Sequence, residues 1–483
     1  MWTSTQPRRE VGAPNRRNRS PGRESAPGRA AELGRALSYS LNPVDHVLLV
    51  THESLQQRGY CGLSVLLIAE LEGRLDPREL EAALRRLGQT YPALSAHIRF
   101  RPVFQWPYWH IAADARLEDA IEYKYHRVEP AKDDGWAPLN HAIDDPVDVR
   151  RGPQLRFVHV DFGNGRHRIG LRWAHALMDF EGAHLLLRCL HDLMTGQKPL
   201  LDPDPLAVPP PPFRPWFPKS ILRKWQGQWR YIVCDRFHQP RIVRKPEGAP
   251  QTCRFVVRRY DAAARRRFEQ AAKARTAPGP LRYSRAMIVA LGRTYLKMCI
   301  EKGRPREHYL FPLPLPLPRS GPRPGVHGNH VTIPWVVFTA ADLADWTTAD
   351  AVAARQFREF FEKHHDEATW MMYKESSWWS FALTRWFTSH RMPRAAAGFT
   401  GYQFDDTVTR LGSAVITNLA GAGPMNCHPG WMLGRTTYGD TMSLSITYFE
   451  DYFDTPNVIE FFDRLETELG INETARLAAA KDR

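Results

Sequence analysis

Residues 154–196 read QLRFVHVDF, GNGR, HRIGLRWAHALMD and FEGAHLLLRCLHDLMTG, and within them the hydrophobic period changes from two to 3.6. Two β-rich runs flank a Gly-Asn-Gly turn, which predicts an antiparallel hairpin. Ala183, Leu186, Leu187, Leu190, Leu193 and Met194 then fall on one helical face, and Gly196 supplies a stop. A strand that ends where an amphipathic helix begins belongs to a layered α/β architecture, because each element has a face to bury. At that junction stand His175 and Asp179, four residues apart.

The HxxxD spacing also occurs at His110 to Asp114 and at His141 to Asp145. In YWHIAAD the pattern is strand-like, so His110 and Asp114 lie roughly 13 Å apart along the chain. NHAIDDPVDVRRGP is polar and bounded by Pro146 and Pro153, which reads as a loop. Only His175 sits at a strand end with a helix to follow, where rigid elements present side chains at a rim. A core histidine held by hydrogen bonds is the alternative reading.

The remaining chain repeats the same grammar twice. LNPVDHVLLVTHESLQQ reads as a capped helix, YCGLSVLLIAELEG as an apolar strand, and DPRELEAALRRLGQTYP as a helix with Leu80, Ala83, Leu84 and Leu87 on one face. ALSAHIRF is a further strand. After a Pro-rich run at 202–218, TCRFVVRRYDAAARRRFEQAAKA is strand then helix, and YSRAMIVALGRTYLKMCIEKG is an apolar-faced helix. HYLFPLPLPLPRS is extended; helices are expected near 348–365 and 368–387, strands at SAVITNLA and TMSLSITYFEDYF, and a final helix at NVIEFFDRLETELG. Two similar α/β halves follow.

A chain of 483 residues, 43% hydrophobic and 24% charged, is long enough for two to three globular domains. No apolar run approaches the ~18 residues that span a bilayer, and the N-terminus lacks the apolar stretch of a secretory signal. The six cysteines are widely spaced, with neither CxxC pairs nor zinc-type spacing, which fits thiols in a reducing cytosol. Of the net charge of +14, residues 1–40 hold eight arginines against three glutamates, or five charges. That basic, Pro/Gly/Ser-rich tail is either an electrostatic arm or an inert extension; the excess elsewhere is scattered and carries no nucleic-acid motif, so nucleic acid is not an expected partner. KSILRKWQGQWRYIVCDRF at 219–237 alternates basic and aromatic residues and reads as a membrane-surface helix or as a linker pinned by its aromatics.

The distributed motifs resemble the chloramphenicol acetyltransferase-like superfamily of acyltransferases, which includes condensation domains and, closest in layout, bacterial wax-ester synthase/diacylglycerol acyltransferases. LNPVDHVLLV looks like the family's first helix after a Ser/Pro/Asp signature, and AHALMDF at 174–180 looks like its HHxxxDG motif. PLPLPLPRS through GNHVTIP resembles its Pro-Val-Ser-Leu-Arg and Gly-Asn segments; ITNLAGAGP and LSITYFEDYF resemble its Ser/Thr-Asn-x-x-Gly strand end and its penultimate hairpin. The likeness runs over residues 38–475.

That resemblance implies a mixed α/β fold of two chloramphenicol acetyltransferase-like subdomains forming a V around an interfacial tunnel. The divisions expected are a disordered basic tail at 1–37, an N-terminal subdomain at 38–201, a Pro/aromatic-rich linker at 202–250 and a C-terminal subdomain at 251–483. His175 takes the position of the general base, and Asp179 that of a carboxylate shaping the motif loop through an arginine, for which Arg99 or Arg172 are candidates. Ala174 replaces the first histidine of the pair, and Phe180 replaces the glycine after the aspartate, where a ring narrows or reshapes the acceptor channel. Thr417 or Asn418 are expected to meet the oxyanion, and Asn329 to line the substrate site; each also reads as a turn or strand-end residue.

The chemistry implied is acyl transfer from a thioester to a hydroxyl or amine, needing neither metal nor bound cofactor, with acyl-coenzyme A (acyl-CoA) as co-substrate. A neutral imidazole suits deprotonation of the attacking acceptor. The partners expected are a small, lipid-like acyl acceptor, acyl-CoA or an acyl carrier protein, and a peripheral membrane contact from the cytoplasm at the inner membrane face. WMMYKESSWWSFALTRWF at 370–387 reads as a core helix rich in tryptophan or as the wall of a lipid-sized pocket. A catalytically degenerate binding module is the alternative.

Overall fold

The computed structural model describes residues 36–102, 106–199, 251–317, 326–390, 395–405, 407–423, 426 and 429–471. The basic tail and the 202–250 linker, with its membrane-facing reading, lie outside these residues, except that Leu37 already belongs to the first strand.

The N-terminal half runs β1 (Leu37–Ser40), α1 (Pro43–Gln56), β2 (Ser64–Glu72), α2 (Pro77–Thr90), β3 (His97–Phe100), β4 (Pro107–Ile111), β5 (Ile121–Arg127), α3 (Ala137–Asp144), β6 (Leu155–Asp161), β7 (Arg166–Ala174) and α4 (Phe180–Met194). The second half contributes β8 (Cys253–Tyr260), β9 (His308–Pro312), β10 (Leu315–Pro316), β11 (Val331–Thr332), β12 (Trp335–Thr339), β13 (Gly398–Gln403), β14 (Arg410–Leu411), β15 (Ala414–Ala422), β16 (Trp431–Tyr438) and β17 (Thr441–Phe449). Its principal helices are Ala262–Arg275, Arg282–Glu301, Trp346–Glu362, His365–Ser376, Phe381–His390 and Thr455–Leu469.

Local chemistry places the starts. The Asn42 side chain accepts from the Val44 amide at 2.9 Å and Pro43 occupies the first turn of α1; Asp76 and Pro77 do the same for α2. Asp179 caps α4 through the Gly182 amide at 2.9 Å.

A six-stranded mixed sheet of order β14-β15-β2-β7-β6-β5 forms the frame of the site. The β6–β7 hairpin is antiparallel as its Gly-Asn-Gly turn predicts, whereas β5 and β6 run parallel. On one face α2 and α4 bury Leu80, Leu84, Leu87, Leu186, Leu187 and Leu190 against Val65, Leu67, Leu171 and Trp173. Leu139, Ala142 and Ile143 of α3 cover Leu66, Ile68, Val158 and Val160 on the other. A four-stranded sheet, β13-β16-β17-β8, supports the second core with helices Arg282–Glu301 and Thr455–Leu469.

Two expectations are corrected. NHAID, residues 140–144, belongs to helix α3 and not to a loop, because Pro138 opens the turn and Leu139, Ala142 and Ile143 share a buried face. The helix expected over 368–387 is two helices, broken between Ser376 and Phe381. β14 and β15 from the second half complete the sheet of the first. The physical reason is β2: its run SVLLIAELE is buried along nearly its whole length, and an apolar strand of this kind cannot be left as an open edge.

Candidate functional site

His175 is the first residue beyond β7, where Ala174 pairs with Ser64 of β2. Three groups hold it. Its backbone N–H donates to the Leu63 carbonyl at 3.0 Å, its carbonyl accepts from Asn329 Nδ2 at 2.8 Å, and its Nδ1 lies 3.3 Å from the Met178 carbonyl. A carbonyl only accepts, so Nδ1 carries the proton and Nε2 keeps its lone pair. No described hydrogen bond engages Nε2. Burial pushes the His175 pKa below 6.5, against smaller opposing effects of the Met178 bond and the Asp179 charge, so the ring is neutral at neutral pH.

The supports behind these bonds are themselves fixed. The Met178 carbonyl also accepts from the Trp173 indole N–H at 2.7 Å. Leu63 donates its amide to His52 Nδ1 at 2.9 Å, and His52 Nε2 in turn donates to the Val147 carbonyl at 3.1 Å. Burial drives the His52 pKa down to about 4, so this ring stays neutral and serves as a fixed bracket. Gly62 sits at φ +90°, and a Cβ there would come within 2.6 Å of the His52 ring. The glycine therefore meets both a backbone and a packing demand.

Asp179 turns one carboxylate oxygen to the Gly182 amide and the other to the His330 amide at 3.4 Å. Neither arginine candidate meets it: Arg172 donates to the Asp145 carbonyl, and Arg99 is exposed on β3. The backbone of residues 326–330 holds the motif loop. Gly328 donates to the Leu177 carbonyl at 2.9 Å and bridges Met178 in parallel fashion. The Val326 carbonyl comes so close to Gly182 that no Cβ fits there.

Phe180, expected to narrow or reshape the acceptor channel, opens α4 with its ring 5.6 Å from Trp173, edge to face, and 6.2 Å from Tyr402, stacked. A Cβ on Gly421 of β15 would meet that ring at 2.6 Å. The bulk at 180 is thus accommodated by a glycine across the sheet. The close approach sought from a glycine at 180 occurs two residues later, at Gly182.

Asn329 comes next to His175, yet it is fully buried and its amide is committed to Asp45 and the His175 carbonyl. Through these bonds it ties the 326–330 loop to α1 and to His175. Thr417 and Asn418 are elsewhere: Asn418 pairs with Glu70 while Ala174 pairs with Ser64, six residues or about 20 Å along β2. Asn418 is spent on Glu70, Ser443 and Thr441, and Thr417 on the Glu70 carbonyl. β15 runs antiparallel to β2, so it is its far end, Gly421–Ala422, that approaches the level of His175; the Asn-Gly spacing in ITNLAGAGP points to the strand but not to which end matters.

Sequence reasoning missed Asp45, Trp173, His52 and Gly182. Trp173 stands two residues before His175, a spacing that was visible; the others act through backbone partners far away in sequence, for which one chain gives no signal. Among the described residues no cluster of three His, Cys, Asp or Glu side chains is set to hold a metal ion, and no helix is long and apolar enough to cross a membrane.

The architecture is that of condensation domains and of related acetyltransferases. The first condensation domain of the calcium-dependent antibiotic synthetase, in complex with a substrate analogue, superposes with a TM-score of 0.64 at 12% identity, over 91% of this chain and 97% of that one. The trichothecene 15-O-acetyltransferase TRI3 from Fusarium sporotrichioides superposes with a TM-score of 0.67 at 11% identity, over 90% and 96%. The starter condensation domain of rhizomide synthetase, in a mutant bound to C8-CoA, gives 0.60 at 14% identity, over 90% and 94%. No protein-family model and no curated protein matches the sequence. The mixed α/β fold expected from the sequence is therefore shown.

Proposed function

We propose that the protein is an acyltransferase in which His175 removes the proton from a hydroxyl or amine as that group attacks a thioester carbonyl. The observation that supports this most is the fixed tautomer: Nδ1–H is committed to Met178, leaving Nε2 as an unengaged base at a strand end. The acceptor loses its proton to Nε2, its oxygen or nitrogen bonds to the acyl carbon, and the thiolate leaves with a proton returned from the imidazolium. No enzyme nucleophile is needed. Asp179 holds the loop by capping α4 and receiving the His330 amide.

Acyl-CoA is the donor proposed. Support comes from a solved neighbour that binds C8-CoA, and from another described with both C8-CoA and an amino-acyl thioester, Leu-SNAC. The same neighbours support a carrier-protein thioester as the second donor. A lipid-like acceptor is the finer part of this reading, supported by the exposed Leu383 and Trp386 on helix Phe381–His390 and by the exposed Trp378 just before it.

Thiol release is the decisive assay, run with a panel of acyl-CoA donors and alcohol or amine acceptors. Acceptor-dependent release that falls in His175→Ala establishes the reading. Coenzyme A binding without release from any pair would show a binding module.

A further inference from the structure

Asp45 lies in the first turn of α1, 2% exposed, and its Oδ1 accepts two hydrogen bonds from Asn329: the backbone N–H at 2.9 Å and Nδ2 at 2.7 Å. Asn329 Nδ2 also donates to the His175 carbonyl at 2.8 Å, and the Asn329 carbonyl accepts from Asn42 Nδ2 at 3.1 Å. Because a carboxylate and a carbonyl can only accept, the amide has one orientation open to it. That orientation leaves Asn329 Oδ1 buried with no partner. An unsatisfied buried acceptor costs free energy. A turn-forming asparagine would place that oxygen in water, so the side chain is held here against its own preference.

We propose that Asp45 is a positioning residue for the base: its carboxylate aims the Asn329 amide at the His175 carbonyl, and the pair thereby sets the direction of His175 Nε2. This inference rests on the reading of His175 as the base. Three restraints meet on that residue: Leu63 at its N–H, Met178 at its ring and Asn329 at its carbonyl. Two of them come from its own half of the chain. The third reaches it from a loop 284 residues beyond Asp45. Releasing it lets the 175–176 peptide rotate and takes Nδ1 out of line with Met178, so the ring loses its single tautomer.

The test uses the full chain with Asp45→Asn, Asn329→Asp and the double exchange, read by thermal unfolding, by kcat and KM, and by imidazole 15N NMR with His175→Ala to assign the signal. Asn329→Asp sets two carboxylates together and removes the donor to His175, so stability and kcat both fall. The double exchange relieves the repulsion, and the unfolding temperature recovers. No donor then faces the His175 carbonyl, so kcat stays about 10- to 100-fold down at an almost unchanged KM, and the 15N signal shows a mixture of tautomers. Recovery of kcat and of the single tautomer together with stability would overturn the proposal, because it would show a merely structural role. If Asn329→Asp does not fold, Asp45→Asn and the double exchange carry the same comparison. Wild-type turnover in His175→Ala would remove the base reading itself, and the 15N arm would still decide whether Asp45 orders the ring.

Discussion

His175 accepts a proton only while its ring is neutral, and burial keeps it neutral to a lower pH than a free imidazole. The acid limb of kcat/KM is therefore expected to titrate below pH 6.5, with no loss of activity between pH 8 and 7 from this group. The Asp179 charge acts the other way, raising the pKa. Asp179→Asn keeps a good N-cap on α4 but removes that charge, so the acid limb should move to lower pH; a shift upward in the measured profile would contradict the assignment. His175→Ala is expected to lower kcat by roughly 10²-fold or more, measured by thiol release. What the sequence disclosed at this scale was the pair His175 and Asp179, through its place between a period-two and a period-3.6 segment. What it concealed were the carbonyl of Met178 and the amide of His330, since backbone groups carry no identity. For Thr417 and Asn418 the sequence could not show that strand register brings the other end of β15 to the level of His175.

Between elements, the fit of α4 to β15 is made by unequal sizes. Phe180 fills the space that Gly421 leaves, so Gly421→Ala should destabilise by about 1–3 kcal/mol through overpacking. Phe180→Leu in the same chain should restore part of that loss, giving a favourable coupling in a double-mutant cycle read by denaturant unfolding. Additive effects would show that the two side chains do not touch. Helices α1, α2 and α4 were legible because their caps and apolar stripes agree. Helix α3 was not, because a polar face and two flanking prolines outweighed three buried apolar residues in so short an element. The break between Ser376 and Phe381 was hidden by aromatic residues that continue on both sides of it.

At the scale of the molecule, β15 makes two halves into one sheet. A fragment ending at residue 199 leaves β2 with an open apolar edge, and it should aggregate or remain partly unfolded when expressed alone. Co-expression with residues 251–471 is expected to return a soluble pair, checked by size-exclusion chromatography. Acid acts on the whole as well. His46, His52 and His159 are pushed down to about 4 by burial, so in the folded state they stay neutral where the unfolded chain takes up protons. Stability contributed by these neutral rings is fully present above pH 6.5 and falls as the pH is lowered from 6.5 toward 4, which titration of the unfolding midpoint will show.

The crossing of β15 into the first sheet also sets an order in time. On the ribosome the HxxxD loop is complete once residue 179 has emerged, but the amide that ties its carbonyl lies 154 residues after His175. The strand that closes its sheet ends only at Ala422. At about 5–20 residues per second, the nascent first half waits roughly 10–50 s with β2 uncovered. During translation it is therefore a natural client for chaperones that shield apolar strands, and the surroundings of His175 are complete only after Ala422 has been made.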